Sequence, residues 1–409
     1  MKFDDQRSAL CRADFPALRG SHCGHPLAYL DGPGGSQVPR AVIEAMAEFY
    51  ATCNVNTGGQ YAPSREVDRR LWEARRSVAT FLGAAGPECI SFGQNMTTLC
   101  FSLAHAIGRT LVPGDEVLIT ELDHEANRSP WLMLRERGVV VREVRLQPSG
   151  ELDPADMAGK VTARTRVLAI GASSNALGTV NDLGLARRLS AAVGALLVVD
   201  AVHYAPHFAI DVNALDTDFL LCSAYKFYGP HVGILYSRPG ALERLPTDRL
   251  LAQRPAAPYR IETGTLNHAA IEGVRAAIDY LAGFGAGPGL RERLVDAMGA
   301  IADYEHGLAS DYYERVRALP GVRVHGPGFA TPNRAPTVSI TLRGQTPAQA
   351  AAALGERGLC VWDGDFYAVR AVEVLGLASA GGLLRTGFSL YNTREEVDRL
   401  IEGLATLAG

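Results

Sequence analysis

Lysine is almost missing from this chain. Its 409 residues hold only Lys2, Lys160 and Lys226, and arginine carries nearly all the positive charge. With so few background surface lysines, one in an unusual setting weighs more than it would elsewhere. An excess of basic charge is missing too. The formal net charge is −4, so nothing electrostatic recommends a nucleic-acid partner, whose backbone calls for a positive surface. No apolar run approaches the ~20 residues that span a bilayer. The start, Met1-Lys2-Phe3-Asp4-Asp5, puts acids where a signal peptide carries an apolar stretch. A cytoplasmic protein with no membrane partner is the expectation. Cysteine pairs are missing as well. Cys11, Cys23, Cys53, Cys89, Cys100, Cys222 and Cys360 are dispersed, with no C-x-x-C. That pattern reads as reduced thiols acting as small buried fillers, with neither a disulfide frame nor a metal site.

What is present is ordinary globular composition, 47% hydrophobic and 21% charged, in a chain long enough for two domains at ~100–200 residues each. Continuous apolar runs alternate with helical patterns. Glu116 to Thr120, Val139 to Val141, Arg166 to Ile170 and Ala195 to Val199 read as strands; Trp131 to Arg137 and Leu183 to Ala192 read as helices. Unalternating strands suit a sheet covered on both faces, so an α/β domain with a largely parallel sheet is predicted. After the glycine-rich stretch 283–289 the tone changes. A long helix from Arg291 to Leu319 precedes separated strands (Thr337 to Leu342, Gly358 to Val361), a helix (Thr346 to Arg357) and a last helix from Arg394. The expected division is an N-terminal arm (1–25), a large domain (26–289) and a small α+β domain (290–409).

Two features carry chemistry. Leu196-Leu197-Val198-Val199-Asp200 is a buried strand ending in a carboxylate, and in open α/β sheets ligands sit beyond the carboxyl ends of strands. A buried acid there needs a positive partner; a helix cap or a metal ligand are the plainer readings of Asp200. Lys226 follows another apolar run, sits among Tyr225, Phe227 and Tyr228, and is closed by Gly229-Pro230. A plain loop lysine is the alternative. A lysine shielded from water becomes a nucleophilic amine, as a Schiff base requires. Paired with an acid on a pyridinium nitrogen, it describes pyridoxal 5′-phosphate, an electron sink for a carbanion at a substrate Cα. A phosphate needs donors. Gly93 to Thr98 follows a strand and opens a helix, which suits a phosphate and also ordinary capping; Ser223 can add a hydroxyl.

Several blocks in order resemble the class V aminotransferase family, and within it the cysteine desulfurases. They are Tyr29-Leu30-Asp31, Gly114 to Val117, Glu121-Leu122-Asp123-His124, Ser174 to Thr179, Val199-Asp200, Ser223 to Pro230, Glu262 to Asn267 and Arg385 to Thr393. The resemblance spans nearly the whole chain. It implies the type I fold of pyridoxal-phosphate enzymes, with a mainly parallel seven-stranded sheet between helices and a smaller C-terminal domain. It implies Lys226 as the Schiff-base lysine, Asp200 as the pyridinium partner and His124 stacked on the ring. By the same resemblance Met96 (through its amide), Thr97 and Ser223 would hold the phosphate, and Thr265 would reach the phosphate of the partner subunit in a homodimer. Asn175 and Arg385 receive the substrate carboxylate, a task that suits a planar guanidinium.

The chain also departs from the family pattern. Where the desulfurases carry R-x-G-x-x-C, it reads Trp362-Asp363-Gly364-Asp365-Phe366-Tyr367. Tyr367 takes the cysteine's place, and a phenol does not take up sulfur as a persulfide. His203 replaces a glutamine expected on the ring O3′, Tyr225 replaces a histidine, and Asn95-Met96 replaces Gly-Thr. Asp363 and Asp365 either shape a turn around Gly364 or favour a positively charged substrate. Tyr367 is either a general acid or base, or a wall. The leading expectation is an amino-acid lyase, by β-elimination or decarboxylation and with possible capture of the enamine by a second substrate. A desulfurase or selenocysteine lyase releasing free sulfide or selenide, an aminotransferase or epimerase, and a non-catalytic pyridoxal-phosphate protein are the alternatives.

Overall fold

The computed structural model describes residues 3–408. Its strands are β1 (Ser21–His22), β2 (His25–Pro26), β3 (Ala28–Tyr29), β4 (Ile90–Gly93), β5 (Glu116–Thr120), β6 (Val140–Val144), β7 (Thr165–Gly171), β8 (Leu196–Asp200), β9 (Phe219–Ser223), β10 (Gly233–Ser237), β11 (Val322–His325), β12 (Thr337–Leu342), β13 (Leu359–Cys360), β14 (Trp362–Gly364) and β15 (Leu383–Gly387). Seven form one sheet in the order β4-β10-β9-β8-β7-β5-β6. From β6 to β9 neighbours run parallel; β10 is antiparallel to both β9 and β4.

The continuous apolar runs are explained by burial on both faces. Side chains alternate across a strand, so Val117, Ile119, Val167, Ala169 and Val198 enter one apolar cluster. Leu118, Leu168, Ile170, Leu197 and Val199 enter the other. Because both faces are dry, the informative side chains sit at the strand ends. The last residue of β8, Asp200, and the segments that follow β5, β7, β8 and β9, with His124, Asn175, His203 and Lys226, lie at one edge of the sheet.

A second sheet, β11-β12-β15-β14, is antiparallel throughout. It belongs to the C-terminal part, which begins with the helix Leu290–Val316. The N-terminal segment is woven into it. β3 pairs with β13, Asp31 bridges to Gly387, and Arg12 forms an ion pair with Glu396 at 2.7 Å. The strand expected over Gly358 to Val361 shrinks to two residues, matching the two residues that β3 offers. The helix expected over Trp131 to Arg137 is a short α-turn followed by a 3₁₀ turn. The cysteine expectation needs correcting. Five are buried as expected, but Cys360 is half-buried and Cys23 is exposed. Among the described residues no helix is long and apolar enough to cross a membrane.

Candidate active site

The site begins at the N-terminus of the helix Met96–Gly108. Asn95 caps it, its side chain accepting from the Thr98 N–H at 2.9 Å. The Met96 N–H points at the Ser223 hydroxyl, 3.2 Å away and buried. This approach depends on Gly233: a Cβ there would lie 2.3 Å from the Asn95 carbonyl carbon and 2.7 Å from the Met96 nitrogen. Free N–H groups and hydroxyls at a helix N-terminus suit a phosphate. Thr97 lies beside them on the wall of the same cavity.

That cavity, of ≈ 610 Å³, is lined by Met96, Thr97, His124, Asp200, His203, Lys226 and their neighbours. Asp200 is buried, and its carboxylate accepts the Val202 N–H at 2.9 Å but has no cation bonded to it. Burial pushes it up to about 7. An acid so placed calls for a positive group in the cavity. A second buried acid, Asp123, accepts from the Gly171 N–H and the Asn127 amide at 3.0 and 2.8 Å; burial pushes it up to about 6. His203 is buried, with Nε2 3.0 Å from the Thr337 hydroxyl. Its Nδ1 has no partner in the chain, and a ligand oxygen in the cavity would satisfy it. Lys226 is buried, its Nζ donating to the Pro33 carbonyl and lying 4.9 Å from the Tyr225 ring centre. Burial, then the nearby Arg385 charge, lowers it to about 7. An amine lowered this far gives up its proton more readily than a free lysine and is a better nucleophile and base. His124 accepts the Ala126 N–H at Nδ1 (3.0 Å), which leaves its proton on Nε2. Burial, then the charges of Lys226 and Arg385, holds it neutral, lowered to about 4. A buried acid lacking a cation, an unpartnered ring nitrogen, a neutral-leaning lysine and a helix N-terminus in one cavity fit pyridoxal phosphate.

Above this lies a mouth of ≈ 1380 Å³ lined by Trp362 to Tyr367, His124, Asn175 and Arg385. Arg385 is buried on β15. It donates to Asp31 at 2.7 Å and to the Asn175 carbonyl at 3.2 Å, while its Nε has no partner. Phe366 seals it, the guanidinium lying 4.2 Å from the ring centre. The Asn175 amide donates to the Phe366 carbonyl at 2.8 Å. Both carboxylate-binding candidates are thus engaged by one loop residue. Phe366 and Tyr367 both hold left-handed backbone, φ 56° and 58°, which is costly for bulky residues. Asp365 accepts the Tyr367 N–H at 2.9 Å, so it works as a turn former; Asp363 sits half-buried in β14. Tyr367 is 71% exposed, and its ring centre is 5.5 Å from that of His124.

Thr265 is the one site candidate away from both cavities. It is exposed and lines separate clefts with Gln94, Thr98 and Trp72. Sequence reading assigned no role to Pro33, Asp31, Asp123, Phe366 or Thr337. Asp31 and Asp123 stood inside the quoted blocks as acids beside apolar runs, which was the available signal. No cysteine lines either cavity.

A profile described as "Aminotransferase class-V" matches residues 28–400. The chain belongs to the class V aminotransferase family. It is a pyridoxal-phosphate-dependent enzyme of the cysteine desulfurase-like branch. Proteins named cysteine desulfurase from Serratia proteamaculans (strain 568) and Dickeya dadantii (strain 3937) are each 34% identical, over 96% of this chain and 96% and 95% of theirs. Two solved structures are similar in fold. The apo cysteine desulfurase of Thermococcus onnurineus NA1 gives a TM-score of 0.86 at 28% identity, covering 97% of each chain. The Escherichia coli cysteine desulfurase in its S-sulfonic acid form gives 0.83 at 28%, covering 98% of each.

Phe366→Ala is expected to uncover Arg385 and tighten binding of a non-reactive amino-acid carboxylate. A ring–guanidinium contact of ~0.5–2 kcal/mol corresponds to roughly 2- to 30-fold in Kd. Titration followed by cofactor absorbance reads it. Unchanged or weaker binding would show that Phe366 helps to build the carboxylate site and does not cover it.

Proposed function

We propose that this enzyme cleaves the Cβ–S or Cβ–Se bond of cysteine or a close analogue and releases sulfide or selenide without a persulfide on its own chain. The relatives named cysteine desulfurase support the substrate class and move the reading away from decarboxylation. The observation that carries the rest is the mouth itself: the loop presents Phe366 and Tyr367 there, and neither cavity has a cysteine on its wall.

Bound in the inner cavity, pyridoxal phosphate supplies an electron sink that stabilises negative charge at the substrate Cα. In this reading Asp200 holds the ring nitrogen's proton, His203 Nδ1 meets the ring oxygen, and Met96, Thr97 and Ser223 hold the phosphate. Lys226 carries the cofactor, and its Nζ takes the Cα proton. Arg385 and Asn175 grip the substrate carboxylate once Phe366 withdraws. The Cβ–S bond breaks with its electron pair on sulfur, and His124 Nε2–H or the Tyr367 hydroxyl at the mouth supplies a proton to it. Loss of sulfide by elimination, followed by hydrolysis, yields a keto acid and ammonia and needs no outside oxidant or reductant. A homodimer in which Thr265 serves the partner subunit's phosphate completes the proposal.

Product analysis tests it. With L-cysteine and no added thiol, sulfide, ammonia and keto acid should appear in equal amounts. Alanine as the main amino-acid product would instead indicate sulfur transfer to an acceptor.

A further inference from the structure

The sequence His22-Cys23-Gly24-His25 forms a two-residue hairpin between β1 and β2, with His22 paired to His25 across the strands. Cys23 and Gly24 both have positive φ, 49° and 80°, as a type I′ turn requires. Asn-Gly is the usual choice for such a turn; cysteine is not. The turn aims the Cys23 thiol outward, away from any core. It meets Glu356, which caps the C-terminus of the helix Pro347–Gly355. The Cys23 Sγ lies 3.2 Å from the Glu356 Oε2. The His22 Nε2 lies 3.8 Å from the same oxygen, and the three ligand atoms all fall within 4.8 Å of one another.

We propose that His22, Cys23 and Glu356 form a binding site for a borderline-soft divalent cation, zinc above all. Zinc bonds of ~2.3 Å to sulfur and ~2.0–2.1 Å to nitrogen or oxygen put the edges of a tetrahedral site at roughly 3.3–3.5 Å. The two edges to Glu356, 3.2 and 3.8 Å, differ from these by only a few tenths of an ångström, and the Cys23–His22 edge, within 4.8 Å, closes by rotation of exposed side chains. The donor set of thiolate, imidazole and carboxylate suits zinc; calcium and magnesium prefer oxygen alone. The fourth position falls to water or to His25, which shares the hairpin face with His22. Without metal, the Cys23 thiol proton is shared with the Glu356 carboxylate, which pushes the thiol up. On binding, a zinc–sulfur bond forms and that proton leaves to solvent.

The site joins the N-terminal hairpin to the C-terminal part. Arg399 already donates to the Pro26 carbonyl at 2.7 Å beside it. The same strand then runs through β3 to Asp31, the partner of Arg385. Zinc here fastens the segment that carries Asp31.

Cys23 is the one exposed cysteine among the described residues, which gives a direct readout. The full-length holoenzyme, dialysed against chelator, is treated with a thiol reagent with and without one equivalent of zinc. Labelling is located by peptide mass spectrometry. Zinc should slow labelling of Cys23 at least ~10-fold, since a coordinated thiolate is shielded from reagent. His22→Ala and Glu356→Gln should each remove most of that protection. A labelling rate that zinc leaves unchanged would overturn the proposal, and so would protection that survives in the His22→Ala/Glu356→Gln double variant.

Discussion

Lys226→Ala is expected to lose turnover by more than ~10³-fold and to lose every borohydride-fixed trace of cofactor at that peptide. The size follows from the two roles proposed for this side chain, covalent holder of the cofactor and base for the substrate proton, each worth ~10²–10⁴. The structure shows why this lysine suits both. It is buried, held by the Pro33 carbonyl and lowered to about 7 by burial and by Arg385. Lys160 offers no substitute: it is tied to Asp156 at 2.7 Å and to the Glu143 carbonyl at 2.6 Å, at the end of β6. Steady-state rates and peptide mapping after borohydride reduction check both halves. A Lys226→Ala protein that still yields a reducible cofactor adduct in full amount would remove the assignment.

Asp200→Asn should retain part of the cofactor and lose ~10²–10⁴ in rate, the range of a preorganised charge removed from a dry site. Asn keeps the shape and the bond from Val202 but cannot hold a proton on a ring nitrogen. The sign with pH can be stated. Asp200 is raised to about 7 because burial disfavours its charge. Its ordinary value lies near ~4, so between these pH values the unfolded chain carries the charge and the folded cofactor-free chain carries the proton. That protein therefore loses stability as pH rises through this window, up to about 7, and a cationic ring opposite the carboxylate reverses the loss. Thermal unfolding of apo and holo protein should diverge as pH rises from about 5 to 8. In Asp200→Asn the divergence should shrink. Wild-type rates in that variant would reduce Asp200 to a structural acid.

Much of this was legible in the chain because it was local. The run from Leu196 to Asp200 announces a strand that is dry on both faces and ends in an acid. The run Phe219 to Lys226 announces a strand leading to a shielded amine, and the lysine scarcity sharpened it. The order of the blocks that resemble the family supplied the rest of the expected cofactor cradle. Contacts across hundreds of residues were not legible. Nothing near Arg385 in sequence says that Asp31 will pair with it, and nothing near Asn175 says that the Phe366 carbonyl will take its amide. Phe366 carried no signal of its own, because its importance lies in covering a guanidinium from another strand. Cys23 was expected to be buried, as cysteines usually are; the left-handed turn that turns it outward depends on its pairing across the hairpin. Asp363 and Asp365 remained open between turn and substrate roles. The bond from Asp365 to the Tyr367 N–H gives Asp365 the turn role.

The central claim is that sulfur leaves this enzyme without resting on it. Intact-protein mass spectrometry after incubation with L-cysteine, followed by peptide mapping of all seven cysteines, addresses it directly. Tyr367 sits at the mouth, the loop from Trp362 to Tyr367 carries no basic side chain, and Cys360 is half-buried with its thiol pushed up by burial and by Asp31, a poor acceptor. The protein mass should stay unchanged while sulfide accumulates in solution. A mass gain of one sulfur atom on Cys360, lost on adding a thiol reductant, would contradict it.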